Sequence, residues 1–514
     1  MSICDTQWGR IMPGLAISLV DGAIIGIYLV LTLMLGFWLT KETNTLSDYL
    51  VGGRSLPWYA VLGSIIATET SAVSFLSVPG LVYATTGNMK FLQLALGFIL
   101  GRWIAAYWLL PSFFEGNRFS AYEVLRERFG GSAQKMASIL FLITRTVADG
   151  LRLYLTAIVI SEMLSCSMTL GIIVMATVTV IYSASGGIKS IIWNDCLQLI
   201  IYLLGAILAL GLIVQSCEGS LADWLWKAND AGKFTWLDIQ PSWQTENLWA
   251  GLLGGAFLSL ATHGTDQMMV QRYLSARSLK DARIALLLSG PCVLLQFMLF
   301  LMVGVALWAY YQSYPIEQNL KNDQVFAHFI VHVMPVGMSG LTLAAVLSVA
   351  MSTISSSVGS SASTFVTDLW LGGSSAGKNE ATMTWLCRIA TAVFGLLQAI
   401  VALSVAWLPI LQVQSVISQV LTLSGFASGI VLGIFLLTIS RRKITAPSLT
   451  LAMISAVGLT SFFVFAPKDS DFKIVGTLAA FTTATITVIV ATVTQSLVNL
   501  IDPPQPNNLK DFTP

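Results

Sequence analysis

The sequence predicts an all-α polytopic membrane protein with about thirteen transmembrane helices, on three observations. Hydrophobic residues make up 55% of the 514 and charged residues only 10%. A soluble domain carries about a quarter charged residues, because water has to meet a polar shell. The apolar residues fall in continuous runs of roughly 17–25 residues or more, the length of one helical crossing. The basic residues gather in alternate loops, as the positive-inside rule requires of a multi-pass chain.

The runs lie near 18–40, 57–83, 89–113, 133–165, 168–184, 189–217, 248–272, 283–313, 338–368, 382–406, 410–439, 446–466 and 473–500. Transmembrane β-strands would instead alternate over about ten residues, so a barrel is excluded. The first run has no basic segment before it and carries Asp21, so it reads as a retained helix and not as a signal peptide. Of the 27 Lys and Arg, 17 fall on one side, 7 on the other and 3 inside helices. The rich side is cytoplasmic. This places the N-terminus outside, the C-terminus inside, and the protein in the plasma (inner) membrane. The longest outside loop, 218–247, carries Trp224, Trp226 and Trp236, which suit an interface. Asp323 to His332 reads as a short amphipathic outside helix, and the tail after Ile501 leaves no room for a soluble domain.

Four places are too polar for a passive membrane helix, where polar groups are costly unless they face protein or water. The first is Thr68-Glu69-Thr70-Ser71 with Ser74, followed by Ser77, Pro79 and Gly80. Hydroxyls that compete for backbone hydrogen bonds, with proline and glycine nearby, mark a helix break or a packed kink. A break at mid-membrane frees carbonyls and N–H groups to hold ions and solute. The second is the face Ser348, Ser352, Ser355, Ser356, Gly359 and Ser363, set at helical spacing. A hard cation wants such oxygens. Small residues in this spacing also serve plain helix packing.

The third place is Asp195, after Gly186-Gly187; it reads as a helix N-cap or as the charge of a cation site. The fourth is Arg145 and Asp149 with Arg152, an i, i+4 pair that can neutralise itself.

Enzyme chemistry finds no support. The three histidines offer only the His328/His332 pair at i, i+4, with no glutamate as in HExxH and no third ligand. A lipid- or water-facing pair is the plainer reading. Phosphate-binding glycine loops are absent from the sequence, which excludes ATP as the driver by any such motif. Six scattered cysteines without a CxxC read as small buried residues. A net charge of +1 with no basic block excludes nucleic acid as a partner.

Several motifs together resemble the sodium/solute symporter family, which includes sodium-coupled galactose, proline and sialic acid carriers. They are Asp48-Tyr-Leu-Val-Gly-Gly-Arg54, Ala121 to Gly130, Ser185-Gly-Gly to Asp195, Gly264-Thr-Asp-Gln to Arg272, and the serine face ending at Thr367-Asp368. The resemblance spans roughly 45–440 and implies a leucine-transporter-like fold. That fold has two inverted five-helix repeats, here about 57–217 and 248–439, with peripheral helices at 18–40, 446–466 and 473–500. It also implies alternating access around a mid-membrane site.

Carried over residue by residue, the resemblance implies a main sodium site of Ala67, Thr70 and Val349 carbonyls with the Ser352 and Thr353 hydroxyls. A second sodium site, present in some members, would use Asp195, Ser352, Ser355 and Ser356. Solute would meet Glu69, Ser74, Gln93, Ser259, Thr262, His263 and Gln414. Galactose carriers share Gln414 but have an aromatic gate at the place of Thr262, and amides at Glu69, Ser74 and Ser259, which speaks against a sugar. Glu69 is expected to hold an ammonium or hydroxyl, or to be neutralised by Arg145 or Arg152.

The resulting expectation is a sodium-coupled symporter importing a small polar organic solute. Its partners are the solute, sodium ions and the lipid bilayer, with no organic cofactor and no obligate protein partner. The rivals are a proton-coupled carrier in which Glu69 or Asp195 titrates, and a membrane sensor on the same scaffold.

Overall fold

The computed structural model describes residues 18–41, 45–116, 118–164, 166–217, 219–315, 320–372, 379–407, 416–439, 444–466, 470 and 473–501. Among these, secondary structure is helical throughout, with one isolated bridge between Leu56 and Ala276. Eight helices are long and apolar enough to cross a membrane, and a bent pair makes nine. The expected thirteen is not reached on length and composition alone. Helix α8 (Gly131–Leu164), which carries Arg145, Asp149 and Arg152, is not among the eight. Helix α9 (Met168–Ser216) counts once, although its 49 residues suffice for two crossings. Gly187 interrupts it with φ 59° and ψ −151°, and a Cβ there would lie 2.7 Å from the Tyr49 carbonyl oxygen. That backbone needs glycine, and it splits α9 where the sequence places a loop.

The chain begins with α1 (Leu19–Thr40) and the short α2 (Leu46–Val51), then enters the bent pair α3 (Trp58–Glu69) and α4 (Ala72–Tyr83). These two meet at 63°, with Thr70 and Ser71 extended between them. Ser71 Oγ accepts the Ser74 N–H and so caps α4, which is why the chain restarts as a helix there. Pro79 stays inside α4, so the break lies at the hydroxyl cluster and not at the proline.

Helix α5 (Phe91–Ile104) runs through a π turn into α6 (Leu110–Phe114), and the short α7 (Glu123–Phe129) follows. After α9 come α10 (Leu221–Asp230), α11 (Leu248–Thr265) and α12 (Gln267–Leu274). A second break falls at Asp266, between α11 and α12. Then follow α13 (Leu279–Ser313), α14 (Val325–His332), α15 (Met338–Thr364), α16 (Glu380–Trp407), α17 (Val416–Ile439), α18 (Ala446–Val464) and α19 (Ala479–Ile501).

The helices pack as two groups. Helices α3, α4 and α5 pack on α13, with α11 against α5, while α8, α9 and α16 pack on α15. Glycines let α5 and α11 touch: a Cβ at Gly97 would sit 2.4 Å from the Gly251 carbonyl oxygen. Phe75 of α4 packs edge-on against Phe300 and Tyr202, fixing the outer half of the broken helix. Helix α15 lies between the two groups, and its serine face is buried in protein, not turned to lipid.

Candidate functional site

The break at Thr70 has dedicated supports. Gln296 Nε2 of α13 donates to Thr70 Oγ1 at 2.6 Å, and Tyr202 OH donates to Gln296 Oε1 at 2.9 Å. Thr70 Oγ1 in turn donates to the Ile66 carbonyl at 2.9 Å. The Ile66 carbonyl is thus bonded within the break, while those of Ala67 and Thr70 are met from α15.

There they meet the serine face. Ser352 Oγ lies 3.0 Å from the Ala67 carbonyl oxygen and 2.9 Å from that of Val349. Thr353 Oγ1 lies 3.3 Å from the carbonyl oxygens of both Thr70 and Val349. All five residues are buried. Three carbonyls and two hydroxyls from two helices thus converge on one another. An all-oxygen donor set without sulfur or nitrogen fits a hard alkali cation. The hydroxyls that here donate to the carbonyls can turn their lone pairs to an ion instead.

The four residues expected around a second ion are arranged differently. Asp195 does not cap a helix: it is fully buried, and Oδ2 accepts from Ser64 Oγ at 2.5 Å and from Thr68 Oγ1 at 3.2 Å. Arg272 Nη2 donates to the same oxygen at 3.0 Å and also to Ser356 Oγ. Ser356 Oγ donates to the Ser352 carbonyl at 2.6 Å and contacts Thr68 Oγ1 at 3.0 Å. Its one proton goes to that carbonyl and Arg272 takes a lone pair, while the single Thr68 proton serves either Asp195 or Ser356. Ser355 Oγ donates to the Ser352 carbonyl at 3.0 Å, and Asp195 Oδ1 has no hydrogen-bond partner among the described residues. Arg272, which the sequence places only inside a motif, therefore stands between two of the four expected ligands. Sequence spacing could not reveal it, because the contact crosses from α12 to α9 and α15.

The expected solute residues divide. Glu69 stands at the last position of α3 with its side chain 17% exposed, and it pairs with Arg102 of α5. The partner is thus Arg102, not Arg145 or Arg152, because one turn of α5 faces the break. Arg145 instead bonds Asp266 at 2.8 Å and approaches Asp149 at 3.5 Å, while Arg152 bonds Asp149 at 2.8 Å. His263 is brought to Glu69, with Nε2 3.6 Å from Oε2 and Nδ1 2.7 Å from Tyr273 OH. Ser74 and Thr262 are half-buried. Ser259 is buried, with Oγ donating to the Phe98 carbonyl at 3.0 Å. Gln93 is buried and committed elsewhere: Nε2 donates to the Lys90 carbonyl at 3.3 Å, and Oε1 accepts the Asp238 N–H of the outer loop at 2.9 Å. Gln414 lies outside the described residues. A cavity of about 270 Å³ adjoins the second break, lined by Tyr122, Phe141, Arg145, Thr265, Asp266 and Ser428.

One broken helix facing an oxygen-rich stripe, with a second break at Asp266, inside an all-helical membrane scaffold, defines a secondary transporter of the leucine-transporter-like fold. The profile of the family described as "Sodium:solute symporter family" matches residues 49–455, and the chain belongs to that family. It is 26% identical to the "Sodium/sialic acid symporter SiaT" of Proteus mirabilis, over 85% of this chain and 88% of that protein. It is 26% identical to the "Sodium/sialic acid symporter NanT" of Aliivibrio fischeri, over 88% of this chain and 89% of that protein. Among solved structures, a sodium-coupled sialic acid symporter in a substrate-bound outward-open state superposes with a TM-score of 0.82 at 25% identity. That match covers 93% of this chain and 98% of the other. The chain is a sodium-coupled symporter, not an enzyme.

Proposed function

We propose that sodium binds between the break at Thr70 and the serine face, held by the Ala67, Thr70 and Val349 carbonyls and the Ser352 and Thr353 hydroxyls. The observation that carries this is the convergence of Ser352 on the Ala67 carbonyl and of Thr353 on the Thr70 carbonyl. Sodium there bridges the broken helix to α15 and favours the conformation in which the two are joined. Coupling is then a difference in sodium affinity between two states, with no covalent step. The solute is small, polar and organic, and it binds beside the same break at Glu69, Ser74, Thr262 and His263, of which Glu69 and His263 lie 3.6 Å apart. Each repeat, near 57–217 and 248–439, contributes one break. The setting is the plasma membrane, with the N-terminus outside by the distribution of basic residues.

A second ion at Asp195 would have to displace Arg272 from its carboxylate and from Ser356. A sodium Hill slope that Asp195→Asn leaves unchanged assigns coupling to the first site alone.

The test is sodium-driven stabilisation of the purified, solute-free protein, read as melting temperature or tryptophan fluorescence in sodium and in potassium at fixed pH. Saturable stabilisation by sodium is expected. Equal behaviour in the two salts, with a response to pH instead, would favour proton coupling through Glu69 or Asp195.

A further inference from the structure

The ion pair at the helix break has a front and a back. Glu69 is 17% exposed, whereas the Arg102 side chain behind it is fully buried. Arg102 Nη2 donates to Glu69 Oε2, and the remaining guanidinium nitrogens, Nε and Nη1, have no hydrogen-bond partner among the described residues. His263, buried on the same side, brings Nε2 to 3.6 Å from that oxygen. A solute arriving at the break therefore meets a carboxylate whose charge is already matched from behind.

That arrangement discriminates by charge. Two unit charges in contact attract or repel far more strongly where protein, not water, surrounds them. An ammonium at Glu69 would gain this attraction and lose much of it again to Arg102. A carboxylate would be repelled by Glu69 before reaching the guanidinium. A hydroxyl or amide N–H carries no net charge, yet donates to an ionised oxygen and forms the stronger, charge-assisted kind of hydrogen bond.

We propose that the Glu69–Arg102 pair selects a neutral solute rich in hydroxyl or amide donors, and rejects free ammonium and carboxylate compounds. This rests on the symport reading above and names its solute class. Arg102 sets the selectivity by cancelling the charge of Glu69, without touching the solute itself.

The experiment is thermal stabilisation of the full-length purified protein in sodium. Its probes are myo-inositol and sorbitol as neutral polyols, choline as the cation, and lactate as the carboxylate. Wild type is expected to respond to a polyol and to neither charged probe. Glu69→Gln leaves Arg102 unpaired and should gain a lactate response; Arg102→Met leaves Glu69 unpaired and should gain a choline response. The double variant Glu69→Gln/Arg102→Met buries no charge and should keep polyol binding within about tenfold (~1.4 kcal/mol). Stabilisation of wild type by choline or lactate, or by neither polyol, overturns the proposal, as does complete loss of polyol binding in the double variant. Absence of any sodium response in the solute-free protein would instead remove the symport reading beneath it.

Discussion

Thr70 and Asp266 stand at the two helix breaks with almost the same backbone, φ −81° and ψ 123° in one, φ −81° and ψ 124° in the other. Both leave the helix into extended conformation, and each has its own brace. Thr70 is held by the neutral Gln296 at 2.6 Å, and Asp266 by the cation Arg145 at 2.8 Å. Only the first break faces the hydroxyls of α15 through its carbonyls, and the ion chemistry follows from that.

Removing one hydroxyl from the first site should therefore weaken sodium without disturbing the fold. Ser352→Ala deletes an oxygen that reaches both Ala67 and Val349. The expected rise in half-saturating sodium is about tenfold or more, equivalent to ~1.4 kcal/mol. Thr353→Ala should act in the same direction, and Thr353→Ser, which keeps the oxygen, should restore most of the affinity. A sodium titration of uptake or of melting temperature reads all three.

Asp195 and Arg272 are both fully buried, 3.0 Å apart, and breaking one side strands the other. Asp195→Asn should cost about 3–5 kcal/mol of stability, because an uncompensated buried charge remains. Asp195→Asn/Arg272→Met removes both charges and should recover most of the loss in thermal denaturation. A single variant as stable as wild type would show that the pair is not tight.

Much of this was legible in the sequence, for reasons that differ by residue. Hydroxyls at helical spacing on α15 and the run Thr68 to Ser74 exposed the stripe and the break that face each other, because their polarity is out of place in lipid. What stayed hidden was who meets whom across helices. Arg102 sits in an ordinary apolar run, and nothing in its spacing tells that one turn of α5 turns it onto Glu69. Gln296 is equally inconspicuous, yet it fixes Thr70 from α13. Gln93 is another contact the spacing does not give: it is buried, and its amide is held by the Lys90 carbonyl and the Asp238 N–H. The second break showed no proline or serine cluster, so Asp266 read as one residue of a motif.

Outside the candidate membrane spans, Glu123 of the short helix α7 offers a pH readout. Burial pushes its carboxyl up to about 7, although Oε1 accepts the Phe119 and Ser120 N–H groups at 3.0 Å each. An unfolded glutamate titrates near 4.3, so the folded state binds the proton more tightly. Its contribution to stability is full below about 4.3 and is lost as pH rises through about 7. The melting temperature of wild type should therefore fall more steeply between those values than that of Glu123→Gln, which keeps the acceptor and cannot ionise. Parallel pH profiles would rule this out.

The outer loop is fastened by a buried cation. Lys233 is 1% exposed, and its Nζ donates to the carbonyls of Val82, Ala84 and Thr85 at 3.0, 2.6 and 3.3 Å. These carbonyls end α4, where a helix presents unpaired acceptors and the negative end of its dipole. The same loop grips α5 through Lys90 and Asp238, 2.7 Å apart. Lys233→Met fills the space but leaves three carbonyls without their donor. The expected loss is about 1–3 kcal/mol, seen as a lower melting temperature. Half-saturating sodium should hardly move, since Val82 and Thr70 lie at opposite ends of α4. A variant that keeps its stability but loses sodium affinity would show instead that the strap acts on the ion site itself.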